Sequence, residues 1–202
     1  MTRKINEIFY SLQGEGANTG VPSVFVRFSG CNLRCPFCDT SHQHGREITD
    51  AEIIADVARH HAPLTILTGG EPSLWIDSEF VSALKEGTGS RICIETNGTR
   101  PLPEGLDWVT VSPKSGICGS DGGDLPILAQ HADEIKVVDL GQPLDPYFRL
   151  ACRREDTLMY LQPCHVEDAA VAEANLRRTV QRVLDDPRWR LSLQTHRMID
   201  IP

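Results

Sequence analysis

Short runs rich in apolar and β-branched residues recur along the chain, at positions 23–28, 64–67, 91–94, 107–111, 134–138, 157–161 and 190–193. Each has the length and composition of a buried strand. Two intervening stretches, 49–61 and 166–185, carry helical patterns. In the first, Thr49 and Glu52 have the spacing of a capping box, which satisfies two backbone N–H groups that a helix start leaves orphaned. In the second, Leu176, Val180, Val183 and Leu184 fall at i, i+4, i+7 and i+8 and predict one buried face. Strand and helix therefore alternate, the pattern of an α/β fold with a mostly parallel sheet and crossover helices.

Polar and small residues follow the strands. The run at 64–67 leads into Thr68-Gly69-Gly70-Glu71-Pro72, and 91–94 into Glu95-Thr96-Asn97-Gly98. Later strands lead into Ser112-Pro113-Lys114, Gln162-Pro163 and Gln194-Thr195-His196. Any one of these could be an ordinary βα turn. Five of them at the carboxyl edge of a parallel sheet make a binding edge, because ligands sit there in both open and barrel α/β folds.

The 202 residues fit one domain and fall short of the ~250 typical of a complete eight-fold barrel. A formal charge of −8 is the wrong sign for gripping nucleic acid over a wide surface. With 40% apolar residues the chain can bury a core, and no apolar run approaches the ~18 residues of a membrane span. The opening segment, MTRKINEIFY, has no signal-peptide core, so a cytoplasmic protein is expected. The Gly-rich stretch 115–123 lies between strands and does not read as a domain linker.

Seven cysteines are an odd number, and three of them cluster as Cys31, Cys35 and Cys38 directly after the first strand. Clustering in a reducing compartment points to metal and not to a disulfide scaffold. Three thiolates do not complete a structural zinc tetrahedron, although His42 or His44 would supply a fourth ligand. Iron-sulfur clusters usually take four cysteines, and one given three keeps an iron open for another ligand. Cys93, Cys118, Cys152 and Cys164 contain no C-x-x-C pair, so a second cluster is not expected.

The C-x3-C-x2-C spacing, with aromatic Phe37 just before the last cysteine, resembles the signature of the radical S-adenosylmethionine (SAM) enzymes, and Gly69-Gly70-Glu71-Pro72 resembles their GGEP element. The resemblance implies a 4Fe-4S cluster on Cys31, Cys35 and Cys38 whose open iron chelates SAM. Reduction then yields methionine and a 5′-deoxyadenosyl radical. The implied fold is a shortened, partly open TIM-like (β/α) barrel of about six parallel strands, a single radical SAM domain over 1–202.

Segments 9–16, 24–33, 38–40, 95–99, 112–114 and 161–163 are together similar to the 7-carboxy-7-deazaguanine synthases, a likeness running from about Ile8 to His196. That family implies ring contraction of 6-carboxy-5,6,7,8-tetrahydropterin with loss of ammonia, on the route to queuosine. It also implies regenerated SAM, a Mg2+ ion, a flavodoxin or ferredoxin as electron donor, and a homodimer. Carried over residue by residue, it places SAM against Phe37, Cys38, Asp39, Gly70, Glu71, Ser112, Pro113, Lys114 and Gln162, with the Glu71 carboxylate accepting from the SAM ammonium. It places the pterin against Leu12, Gln13, Gly14, Arg27, Thr68, His196 and Pro202, and Mg2+ on Thr40.

Arg27 is a cation in an apolar strand and needs a partner, either an acid of the protein or the substrate carboxylate. The tail after His196 is either a frayed end or docked by Met198, Ile199 and Ile201, with the Pro202 carboxylate as acceptor for the pterin edge. Two alternatives to the synthase are a glycyl-radical activating protein and a non-catalytic iron-sulfur or zinc module. The QGEG loop at 13–16 and Cys38-Asp39-Thr40 argue against the first, and GGEP with the five polar strand ends against the second.

Overall fold

The computed structural model describes residues 1–38, 40, 44–114 and 125–202, so the expectations placed on Asp39, His42 and Cys118 lie outside the described residues. Seven strands run parallel and next to one another: β2 (Pro22–Phe28), β4 (Leu64–Gly69), β5 (Arg91–Thr96), β6 (Trp108–Val111), β7 (Ala132–Asp139), β8 (Arg153–Pro163) and β9 (Arg190–Leu191). Every strand expected from the apolar runs is present, and β9, expected over 190–193, is only two residues long. Two further strands were not expected. β1 (Thr2–Leu12) pairs antiparallel with β2, and β3 (Arg46–Thr49) pairs antiparallel with β1. The order is β3-β1-β2-β4-β5-β6-β7-β8-β9, and because β3 and β9 do not pair, the sheet is an open, partial barrel.

Among the described residues four α-helices accompany the sheet: α1 (Asp50–Ala58), α2 (Ser78–Thr88), α3 (Ala169–Asp185) and the short α4 (Thr195–Met198). The capping box forms as its spacing predicts: the Thr49 hydroxyl accepts from the Glu52 N–H at 3.3 Å while the Thr49 N–H donates to the Glu52 carboxylate at 2.9 Å. Strand alternation sorts the side chains. Val24, Val26, Phe28, Leu67, Ile92, Ile94, Val109, Val111, Ile135, Val137 and Leu161 pack in one core with Ile53 and Val57 of α1 and Phe80, Val81 and Leu84 of α2. Full burial of each such side chain contributes about 1.5–3 kcal/mol. The opposite phase of the same strands faces the concave side, where Phe25, Ile66 and Cys93 form a small apolar floor. Arg27, Thr68, Glu95, Glu134, Lys136 and Gln162 share that phase.

The buried face of α3 is only partly the expected one, for Val180 and Val183 are half-buried and Val183 packs on the core. Leu176 and Leu184 are exposed, and the buried positions are Asn175 and Thr179. Polar partners decide this: Asn175 donates to the Cys164 carbonyl at 2.9 Å, and the Thr179 hydroxyl donates to Asp139 at 2.8 Å. Asp139, with no exposed surface, also accepts from the Gly141 N–H at 2.9 Å and pairs with Arg178 and Arg182 of α3. Burial alone would raise its pKa, but the Gly141 N–H, the Thr179 hydroxyl and the two guanidiniums outweigh it and hold the carboxyl below its ordinary range.

A depressed carboxyl contributes stability above its unfolded pKa and loses it as pH falls through the folded one. Asp139→Asn is therefore expected to cost about 2 kcal/mol at neutral pH. In thermal melts the gap to the unsubstituted protein should close below the carboxylate range.

Candidate active site

The cysteine loop leaves β2 at the carboxyl edge of the sheet. Cys31, Cys35, Cys38 and Phe37 line one cleft, which encloses about 1000 Å3 with solvent at its mouth included. The Leu33 N–H points at the Cys31 sulfur, 3.4 Å away, and the Cys38 N–H closes a turn onto the Cys35 carbonyl at 3.1 Å. Burial pushes the Cys31 thiol up despite that N–H. A positive partner is what would hold it as thiolate. Among the described residues no three Cys, His, Asp or Glu side chains converge as they would on a single metal ion. Three thiols spread around one cleft fit a multi-iron cluster, which gives each thiolate its own iron. His44 is exposed and lines neither this cleft nor the one beside it.

The GGEP turn after β4 fits beneath this loop. The Gly70 N–H donates to the Phe28 carbonyl at 3.0 Å and the Glu71 N–H to the Gly30 carbonyl at 2.9 Å. A Cβ on Gly70 would stand 2.0 Å from the Gly30 oxygen, so only glycine permits the approach. Gly70 lines the cleft as expected, as do Ser112, Lys114 and Gln162. Glu71 and Pro113 differ from expectation, since both are buried and neither lines the cleft. The Glu71 carboxylate accepts from the Ser73 N–H (3.0 Å), the Thr96 hydroxyl (2.7 Å) and the Asn97 N–H (2.7 Å). Asn97 continues the chain by donating to Asn32 at 3.0 Å, inside the cysteine loop. Glu71 therefore ties the GGEP turn and the end of β5 to the cysteine loop from behind the cleft.

A second cleft of about 710 Å3 adjoins the first. Leu12, Gln13, Gly14, Arg27, Thr68, His196 and Pro202, expected around the substrate, all line it, and Glu15, Thr40, Thr68, Glu95 and Gln194 border both clefts. Of the two partners considered for Arg27, the structure shows the acid, Glu7, and leaves the side chain facing the second cleft. The Arg27 Nε lies 2.7 Å from Glu7 without the N–H being aimed there, its guanidinium lies over the Phe9 ring at 5.3 Å, and its side chain lines the cleft. Gly14 lets the His196 ring close on the loop, since a Cβ there would meet its Nδ1 at 2.1 Å. The tail is docked, but not by its apolar residues: Met198 and Ile199 are exposed. The Ser11 hydroxyl donates to Pro202 at 2.8 Å and the Ile201 N–H to the His196 carbonyl at 3.1 Å.

Sequence reasoning missed Glu15, Glu95, Glu134, Lys136 and Gln194 as site residues. Lys136, buried on β7, forms ion pairs with both Glu15 and Glu95. A signal was present: Glu95 in RICIET and Lys136 in ADEIKVVD are charges at alternate positions of otherwise apolar strands, in phase with the concave face.

Residues 25–116 match the radical SAM superfamily. Over 201 residues, spanning the whole of both chains, the sequence is 53% identical to the 7-carboxy-7-deazaguanine synthase of Bacteroides thetaiotaomicron. The chain belongs to the 7-carboxy-7-deazaguanine synthase family. The synthase of Bordetella pertussis is 37% identical, again over both full lengths. The crystal structure of QueE from Escherichia coli superposes with a TM-score of 0.76 at 28% identity, covering 96% of this chain and 94% of that one. Membership of the radical SAM family carries with it a 4Fe-4S cluster and SAM as cofactors, and the three cysteines and the cleft fit them. This 7-carboxy-7-deazaguanine synthase fold replaces the activating-protein and non-catalytic alternatives. Among the described residues no helix is long and apolar enough to cross a membrane.

Glu71→Gln would set an amide donor against one of three donors, at an expected cost of about 1–3 kcal/mol. The variant should melt lower and retain less iron after reconstitution. A fall in SAM affinity with melting and iron content unchanged would instead make Glu71 a direct SAM contact.

Proposed function

We propose that this chain converts 6-carboxy-5,6,7,8-tetrahydropterin to 7-carboxy-7-deazaguanine with loss of ammonia, as a radical SAM carbon-nitrogen lyase of a 7-deazapurine route such as that to queuosine. The observation that carries the reading is the pair of adjoining clefts, one lined by the three cysteines and the other by Arg27, Gln13 and Pro202, with five residues common to both. Bound together, the cluster and SAM supply a 5′-deoxyadenosyl radical. Cys31, Cys35 and Cys38 would hold the cluster, and Phe37, Asp39, Gly70, Ser112, Lys114 and Gln162 would border SAM, with Pro113 and Glu71 behind them.

The remaining work belongs to the second cleft. Arg27 offers a guanidinium to the substrate carboxylate, and the Phe9 ring beneath it limits where that cation can go. Leu12, Gln13 and Gly14 form one wall over the flat ring. His196 and the docked Pro202 continue that wall, packed against Gly14 and Ser11, and the tail's carboxylate suits the amino edge of a pterin. Thr68 closes the floor beside Glu95. Thr40 borders both clefts and is the assigned Mg2+ ligand, since that ion takes few protein ligands and accepts substrate oxygens. The reading further comprises a single domain over 1–202 in the cytoplasm, a flavodoxin or ferredoxin donor, a homodimer, and no nucleic-acid or membrane partner.

The deciding experiment is anaerobic cluster reconstitution, then incubation with SAM, Mg2+, reductant and 6-carboxy-5,6,7,8-tetrahydropterin under mass spectrometry. Formation of 7-carboxy-7-deazaguanine is expected, and SAM cleavage without it would sink the reading. Arg27→Lys should raise the substrate KM about tenfold, because lysine cannot make two parallel hydrogen bonds to a carboxylate. Thr40→Ala should lower turnover and blunt its response to Mg2+ while SAM still binds. Equal loss of SAM binding would remove Thr40 from the metal.

A further inference from the structure

One lysine and three glutamates meet on the concave face, and no motif accounts for them. Lys136 and Glu134 come from β7, Glu95 from β5, and Glu15 from the loop after β1. Lys136 is 8% exposed and pairs with Glu15 and, at 3.4 Å, with Glu95. Among the described residues both glutamates find their ion pair on this one ammonium. Glu15 also accepts from Gln162 (2.9 Å) and Gln194 (2.8 Å), while Glu95 accepts from Gln13 (3.0 Å) and Thr68 (2.8 Å). Glu134 accepts from the Ala17 N–H at 2.7 Å, two residues beyond Glu15.

Burial opposes the ammonium, but Glu15, Glu95 and Glu134 hold Lys136 protonated well above the ordinary lysine range. Burial likewise opposes an ionised Glu15, and Lys136 with the two glutamines outweighs it, keeping that carboxyl below its ordinary range. Glu134 goes the other way, pushed up by burial that Lys136 and the Ala17 N–H only partly offset.

Lys136 lines the SAM cleft and not the pterin cleft, whereas Glu15 and Glu95 border both. From this we infer that Lys136 is a positioning residue for substrate: its ammonium draws Glu15 into the barrel, which sets the Gln13–Gly14 wall of the pterin cleft. The wall is continuous with that anchor. The Glu15 N–H donates to the Gln13 side chain at 3.2 Å, and the Gly14 carbonyl accepts from the Thr195 N–H at 2.9 Å. The inference rests on the pterin reading of that cleft.

In Lys136→Met the Glu15 carboxylate loses its counter-charge, so its pKa rises. Below that raised pKa Glu15 stays in place as the neutral acid. Above it, ionisation pulls the loop out. The defect should therefore grow with pH, unlike a simple packing loss.

The test compares unsubstituted protein, Lys136→Met and Lys136→Met/Glu15→Gln between pH 6 and 8.5. Thermal melts of each protein are read beside anaerobic calorimetry of 6-carboxy-5,6,7,8-tetrahydropterin binding to the reconstituted, SAM-loaded form. At pH 8 Lys136→Met should bind the pterin at least about tenfold more weakly. The loss should shrink toward pH 6 and be recovered in part in the double variant, whose site keeps Glu95 as the one carboxylate deprived of the lysine. Unchanged binding overturns the inference, as does a loss that is the same at every pH and persists in full in the double variant. If Lys136→Met does not fold, a folded, pterin-binding double variant supports the inference and an unfolded one overturns it. If the unsubstituted protein does not bind the pterin, the functional reading fails, and the pH-dependent melting deficit with its rescue still decides whether Lys136 anchors Glu15.

Discussion

The Glu71 carboxylate has no exposed surface and accepts three hydrogen bonds, and the cofactor end of the sheet is assembled around it. Two of its donors, the Thr96 hydroxyl and the Asn97 N–H, belong to the end of β5, so one side chain from the turn after β4 locks the neighbouring strand end. Asn97 then reaches Asn32, and Asn32 donates onward to Thr99 at 2.8 Å. The cysteine loop has few apolar anchors of its own, Leu33 being its one buried hydrophobic residue among those described. Its position is tied to a polar chain that is buried at Glu71, Thr96 and Asn97 and surfaces at Asn32, and the buried members fix geometry because each, left unsatisfied, would cost the desolvation of its polar group.

The rest of the site follows from strand phase. On each parallel strand alternate residues go under the helices or into the concavity, so the aliphatic set that builds the core leaves the other set free to be polar. Register then brings these polar residues together. Arg27 stands beside Thr68 across β2 and β4, and Thr110 lies between Glu95 and Glu134 across β5, β6 and β7. A net charge of −8 describes the whole chain but not this interior, where a lysine is enclosed by three acids. Burial makes that pairing decisive, because a charge of either sign left alone at such a depth is costly.

What the sequence made legible is what is local. Strand runs, the capping box and the C-x3-C-x2-C spacing are each complete within a few residues, and all appear in the structure. The family's motif residues that the structure describes line two adjoining clefts, with Glu71 and Pro113 one layer behind. The α3 face was misread because apolar spacing says nothing of distant polar partners, and Thr179 is bonded to Asp139, 40 positions away. β1 escaped notice because TRKINEIFYSL alternates irregularly, its pairing with β2 being shifted between Ile5 and Glu7. The Glu15–Lys136 pair spans 121 positions, and no short motif can announce such a contact.

The common wall constrains how the two clefts can be dissected. Arg27 and Pro202 border only the second cleft, and Ser112 and Lys114 only the first, so truncating any of these alters one cleft alone. Glu15, Thr68 and Glu95 border both and are bonded to one another through Gln13 and Lys136. A change at any of the three shifts groups facing both ligands, and its effects on the two affinities will not be independent. The arrangement also removes any thick partition between the clefts: what separates them is one layer of side chains. Groups bound on the two sides are therefore held about one side chain apart, provided the wall residues keep their places. That proviso assigns the buried charges their work, since Lys136 pairs with Glu15 and Glu95 and so holds in the barrel the carboxylate that Gln13 and Thr68 donate to.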